Sequence, residues 1–252
     1  MARIITVACH KGGVGKTTTA ASLGAIFAAR GRKVLLVDVD AQKNLTETFL
    51  EGPFENTVAE AFARRCALPA YKVRKNLDLV PSSDDVCSID VNYGSVAGKE
   101  FILRELLDGV QGRYDLIIID SPAQLGTVTA NALVAADRVL IPVNGDAYSI
   151  GGLRQITDLI GAVHRYYNPR LEVMGIVLTK YNGRRIVDRK VKEALDASFN
   201  DKLFNTVIRE NASIVQAPLC HTDIVSYDPS SNGAKDYKSL CDEISLRIKK
   251  IR

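Results

Sequence analysis

The sequence predicts an α/β fold: a doubly wound, mainly parallel sheet with helices on both faces, forming a single domain over residues 1–252. Three observations predict it. Short apolar runs rich in β-branched residues recur at 4–8, 34–37, 77–80, 116–119, 139–143 and 173–178. They are nearly continuous rather than alternating, as strands buried on both faces of a parallel sheet require. Helix-length segments with apolar residues at helical spacing lie between them, most clearly at 17–30, 100–107, 151–166, 185–198 and 234–251. Strand–helix alternation of this kind is the mark of a doubly wound sheet. Finally, 252 residues with 46% hydrophobic content suffice for one sizeable core.

Residues 81–98 are polar and glycine-containing, and read as a surface excursion. There is no internal repeat, low-complexity tract or linker. The first strand begins at residue 4, so no appended DNA-reading domain is expected. Charged residues make up 25% and the net charge is +4. That mild basicity permits contact with nucleic acid or anionic lipid without demanding it. Cys9, Cys66, Cys87, Cys220 and Cys241 are scattered, with no C-x-x-C pair and no zinc spacing. Reduced thiols in a cytoplasmic protein are expected, since the chain shows no signal core and no apolar run long enough to span a bilayer.

The first strand runs into Lys11-Gly12-Gly13-Val14-Gly15-Lys16-Thr17-Thr18, and a helix follows. Glycines let the backbone curl so that successive N–H groups face phosphate oxygens, and the new helix adds its positive end. Lys16 is placed to reach the β- and γ-phosphates, and the Thr17 hydroxyl to ligate Mg²⁺. His10 stands where the usual G-x-x-x-x-G-K-[ST] motif has its first glycine, and Lys11 is an added cation. Lys11 reads either as a solvated surface charge or as a cation aimed at phosphate across a dimer interface.

Two strands end in carboxylates, the place where α/β sheets bind ligands. One closes Val37-Asp38-Val39-Asp40. Asp40 is suited to orient an attacking water and accept its proton, and Asp38 to support Mg²⁺ through water; capping of the following helix is the alternative for either. The other runs through Leu116–Asp120, which puts Asp120 near the outer shell of the same metal.

These motifs resemble those of the deviant P-loop ATPases that include ParA/Soj, MinD and the nitrogenase iron protein. In that family the lysine matching Lys11 is supplied to the partner subunit's nucleotide in an ATP-sandwich dimer. The segment from Asp38 to Asn44 is similar to the ParA pattern D-x-D-P-Q-x-N, with Asp40 at the hydrolytic position; Ala41 replaces the proline and Lys43 the glycine. Ser121-Pro122-Ala123 resembles the D-x-P-P switch, with Ala123 for its second proline. The resemblance places the adenine pocket at Lys180 and at Arg209 with Asn211, where Arg209 stands for a usual proline. Residues 227–237 resemble the family's closing Y-x-P-x-S-x-G-A-x-x-Y, so the likeness spans essentially the whole chain.

Gln42 with Asn44, and this ending, favour ParA over MinD. Leu240, Ile244, Ile248 and Ile251 recur at helical spacing without Phe or Trp, which fits packing on the core better than entry into a bilayer. No stable membrane association is expected. Arg184, Arg185, Arg189, Lys190 and Lys192 crowd one helix, and Arg247, Lys249, Lys250 and Arg252 crowd the C-terminus. They read as solvated faces or, with a ParA-like engine, as contacts to the DNA backbone without base readout. ParA relatives tend to carry a basic residue at the Ser213 position. The resemblance implies an ATPase with ATP and Mg²⁺ as cofactors, dimerising on ATP, binding double-stranded DNA nonspecifically on the nucleoid, and stimulated by a ParB-like centromere-binding protein. A MinD-like positioning ATPase and a weakly hydrolysing, nucleotide-gated scaffold are the alternatives.

Overall fold

The computed structural model describes residues 1–146, 149–199 and 201–249. Its strands are β1 (Arg3–Val7), β2 (Val34–Asp38), β3 (Tyr71–Arg74), β4 (Leu77–Val80), β5 (Leu116–Asp120), β6 (Arg138–Asn144) and β7 (Glu172–Thr179). Its helices are α1 (Lys16–Ala29), α2 (Asn44–Phe49), α3 (Val58–Arg64), α4 (Ile89–Tyr93), α5 (Ile102–Asp108), α6 (Thr127–Ala135), α7 (Ser149–Tyr166), α8 (Ile186–Phe199), α9 (Ala212–Gln216), α10 (Ile224–Tyr227) and α11 (Asn232–Lys249).

The sheet order is β3-β4-β2-β5-β1-β6-β7. All neighbours pair in parallel except β3 with β4, an antiparallel edge hairpin. Every strand read from the apolar runs is present. Because side chains alternate along a strand, each run feeds two layers. Leu35, Val37, Ile117 and Ile119 pack on one face with Leu103, Leu107, Ile156 and Val191. Leu36, Ile118 and Leu140 pack on the other with Leu23, Phe27, Leu240 and Ile244. Leu240 and Ile244 are wholly buried and Ile248 packs partly buried against the same cluster, so the described part of the C-terminal apolar stripe is a core face; Ile251 lies outside the described residues.

Register brings the polar strand ends together. Val7 lies opposite Asp120 between β1 and β5, and Asp38 lies opposite Asp120 between β2 and β5. The phosphate loop and both carboxylates thus leave the sheet at one edge. The 81–98 segment is less open than its composition suggests: it holds a 3₁₀ turn (Asp84–Ser88) and α4, with Val86 and Ile89 buried.

Candidate functional site

Between β1 and α1 the backbone turns through Gly13 (φ 71°) and Gly15 (φ 86°), both left-handed. Such φ values favour glycine. Gly15 ends the loop without a side-chain cap, leaving the first N–H groups of α1 unspent. Val14 is buried, and its carbonyl accepts from the Thr179 hydroxyl at 2.8 Å, so the end of β7 fastens the loop. The imidazole of His10 contacts the Ala123 carbonyl at 2.8 Å, linking the loop to the segment after β5. At Gly152, an added Cβ would stand 3.0 Å from the His10 carbonyl oxygen, so α7 sits close against the loop.

Lys16 is buried, and its ammonium donates to the Lys11 carbonyl at 3.1 Å, curling back over the loop. Cys9 is also buried; desolvation pushes its thiol up to about 11 against the pull of Lys16 and Lys11, which leaves it unreactive. Lys11 does not project into solvent. Its ammonium donates to Asn144 Oδ1 at 3.1 Å and to Ser149 Oγ at 3.3 Å, and pairs with the Asp146 carboxylate. Burial pushes Asp146 upward, but the bonds from Lys11 and Ser149 outweigh it and hold its pKa below the ordinary value. These three acceptors were not legible as site residues; a polar cluster just beyond a parallel strand is the signal that points to them.

Asp38 is fully buried. It accepts from the Thr46 N–H at 2.8 Å, the Thr46 hydroxyl at 2.7 Å and the Asp40 N–H at 3.1 Å. Burial outweighs these bonds and pushes its pKa up to about 6. Asp40 is partly exposed at the next turn, where one carboxylate oxygen accepts from the Gln42 N–H at 3.0 Å. Lys43 holds the left-handed conformation (φ 57°) that explains a glycine in the related pattern, and its ammonium reaches Asp84 at 3.0 Å.

Asp120 is 1% exposed, and neither of its oxygens has a hydrogen-bond partner of good geometry. Burial raises its pKa first and the Asp38 charge adds to this; the Thr17 hydroxyl, at the margin of bonding, and the Lys16 ammonium pull the other way. A buried carboxylate without donors is costly unless something supplies positive charge. Among the described residues no three His, Cys, Asp or Glu side chains form a self-sufficient metal cage. The donor set therefore fits a hard cation carried with phosphate oxygens and water. Thr17 would be a direct ligand, with Asp38 and Asp120 behind water. Backbone N–H groups, Lys16 and an uncompensated carboxylate suit a magnesium-bound nucleotide.

An AAA-domain family model, AAA_31, matches residues 2–173. The sporulation initiation inhibitor protein Soj of Bacillus subtilis is 34% identical, covering 97% of this chain and 99% of its own. Chromosome partitioning protein ParA of Caulobacter vibrioides is 33% identical over 97% and 94%. The chain belongs to the ParA/Soj family of partitioning ATPases. The crystal structure of cobyrinic acid a,c-diamide synthase from Mycobacterium smegmatis with bound ADP and magnesium superposes at TM-score 0.87. It is 29% identical and covers 100% of this chain and 97% of that one. That fold serves different chemistries, so assignment within the ParA/Soj family rests on the sequence relatives.

The remaining ParA-type positions are occupied in ways the sequence did not disclose. Lys180 is left-handed (φ 51°) and exposed just beyond β7. Tyr181 bridges to Arg209 in parallel fashion. The Arg209 guanidinium is committed to Asp236, at 2.9 Å from Nε and 2.7 Å from Nη2. Because residue 209 is not proline, its backbone N–H donates to Asp236 as well, at 2.9 Å. The Asn211 side chain caps α9 by accepting from the Ser213 N–H. Ser213 bonds Asp228 at 3.0 Å.

Helices α8 and α11 lie on opposite faces of the sheet, since α8 packs through Val191 and Leu195 into one layer and α11 through Leu240 and Ile244 into the other. Arg184 and Arg185 precede α8 rather than lying in it. Arg185 pairs with Glu210 at 2.9 Å, and Arg189 donates to the Gly183 carbonyl at 3.3 Å. Arg247 is half-buried and engaged: it donates to the Met174 and Leu203 carbonyls and stacks 3.9 Å from the Phe204 ring centroid. Lys249 is the last described residue of α11, while Lys250, Ile251 and Arg252 lie outside the described residues.

Proposed function

We propose that the chain, as one ParA-like domain, is an ATP-driven dimerisation switch for DNA partitioning in the cytoplasm. The observation that carries this reading is the glycine loop closing on α1 near Asp120, a buried carboxylate without a well-formed hydrogen bond that feels both the Thr17 hydroxyl and the Lys16 ammonium. N–H groups from Gly12 to Thr18 cradle the phosphates, and Lys16 neutralises the β- and γ-oxygens. Mg²⁺ carried with the nucleotide would supply charge neutralisation on the phosphate oxygens. Thr17 would hold that cation from the loop, with Asp38 and Asp120 supporting it through water. Asp40 orients the attacking water and accepts its proton. Lys180, with the 209–211 segment, borders the adenine base; since the Arg209 side chain is held by Asp236, its contribution to the base is through the backbone.

Lys11 crosses to the nucleotide of a second copy, so that two chains close over two triphosphates. Closure doubles the number of cations the assembly presents, Arg184, Arg185, Arg189, Lys249 and Lys250 among them. Duplex DNA is then held by its phosphates without sequence readout. Hydrolysis, stimulated by a ParB-like centromere-binding partner, resets the switch and releases DNA.

Steady-state ATP hydrolysis, with and without duplex DNA, tests the reading on three proteins. The parent is expected to turn over slowly. Lys16→Ala should lose nucleotide affinity, whereas Lys11→Ala should keep binding and lose dimer-linked activity. A parent that stays monomeric when saturated with a non-hydrolysable analogue and Mg²⁺ would contradict the switch. A missing MgATP-dependent, salt-sensitive gel shift of arbitrary duplex would contradict the DNA step.

A further inference from the structure

Lys11 carries the charge that the proposed switch needs on its partner, yet within one chain that charge is already engaged. A lysine ammonium has three donors. Here the acceptors are Asn144 Oδ1 at 3.1 Å, Ser149 Oγ at 3.3 Å and the Asp146 carboxylate. They also bond one another: Asn144 Nδ2 donates to Asp146 at 3.0 Å, and the Ser149 hydroxyl meets both Asn144 and Asp146. Asn144 ends β6 and Ser149 begins α7, so two regular elements set the spacing. Ser149 is 2% exposed, and Gly152 one turn on lets α7 approach the loop that bears Lys11. The acceptor set is preformed, and Lys11 enters it on a flexible four-carbon stem.

We infer that Asn144, Asp146 and Ser149 are positioning residues for Lys11. They hold its ammonium on its own chain before nucleotide-driven pairing, and the Asp146 contact must break before Lys11 can serve a partner. The release step rests on the dimer reading above; the cis contact does not. A ligand-competent state that is only partly populated lowers the apparent affinity by that fraction, so the contact sets a threshold for pairing. The side chains of Lys11 and Asp146 are 22% and 43% exposed, which makes the hold moderate.

Two measurements on the full chain test this. In urea unfolding without nucleotide, Lys11→Met and Asp146→Asn should be non-additive, the double variant losing less than the sum of the singles. Strict additivity would overturn the cis contact. In sedimentation velocity with a non-hydrolysable ATP analogue and Mg²⁺, Asp146→Asn should dimerise with a Kd about three- to fivefold lower than the parent, the range of a partly exposed ion pair. An equal or higher Kd would overturn the release step. A parent that never dimerises, with coupling intact in the first measurement, would sink the dimer reading and the release step together and leave the cis contact standing.

Discussion

Replacing Asp120 with asparagine should make the nucleotide-free protein more stable at neutral pH. The parent carboxylate is 1% exposed, lacks well-formed donors and lies beside the buried Asp38. The amide removes one of two neighbouring negative charges and can donate toward Asp38. An unsatisfied buried polar group costs about 1–3 kcal/mol. Taking about 2 kcal/mol, and about 2–4 °C per kcal/mol for a chain of this size, Tm should rise by about 4–8 °C at pH 7.5. The pH dependence follows from the sign of the shift. Burial raises the folded pKa of Asp120 above its ordinary 3.8, so the folded chain keeps a proton that the unfolded chain has released. Stability from this group is therefore lost as pH rises through that window. Asp38 shifts the same way, to about 6. Glu60, Asp146 and Asp228 shift downward and stay ionised in both states above pH 5.5. The parent–variant gap should accordingly widen as pH rises through the raised pKa and shrink as pH falls below it, in thermal scans across pH. Saturating MgADP should stabilise the parent, by about 2.7 kcal/mol at a hundredfold excess over Kd, and the variant less. A variant that melts below the parent at pH 7.5, or a gap that is constant with pH, would refute the idea that Asp120 is an uncompensated charge awaiting a cation.

Gly152→Ala should weaken nucleotide binding about fivefold, equivalent to about 1 kcal/mol of overpacking, because the new methyl would press on the His10 carbonyl; titration with a fluorescent nucleotide checks it. Thr46→Val keeps the shape but removes the 2.7 Å bond to Asp38 and the acceptor for the Ser82 N–H. It should cost about 1.5–3 kcal/mol in urea unfolding at pH 7.5. Arg209→Ala strands the nearly buried Asp236 and should cost about 1–3 kcal/mol, with Arg209→Ala/Asp236→Ala losing less than the sum of the singles by the same measurement.

Six strands were legible because parallel strands buried on both faces leave continuous apolar runs. β3 was not, since Tyr71–Arg74 is a half-exposed edge hairpin of mixed polarity, registered by pairing with β4. Helices α2, α4, α9 and α10 are four to six residues long, too short to show a period. Residues 11–18, Asp38 and Asp120 could be grouped as a candidate site from the sequence because the patterns that suggest them are short and sit at strand ends, which the sheet register brings together. The cluster around Lys11 was not: Asn144 lies 133 residues away, and only the β1–β6 pairing makes them neighbours. Arg209 was read as a base contact from its position alone. Its commitment to Asp236 depends on how α11 packs, which no local pattern encodes.

The parallel sheet also separates the rim that carries the candidate site from the opposite rim. The phosphate loop, Asp38, Asp120 and Asn144 all lie at the C-terminal strand ends, while Gln111–Arg113 turns the chain at the opposite end, ahead of β5. Gly112 there is exposed, has ordinary φ and has no atom within 4 Å of an added Cβ. A Gly112→Cys dye-labelling site, made after replacing the exposed Cys66, Cys87 and Cys220, would let fluorescence test the proposed pairing from the rim opposite the candidate site.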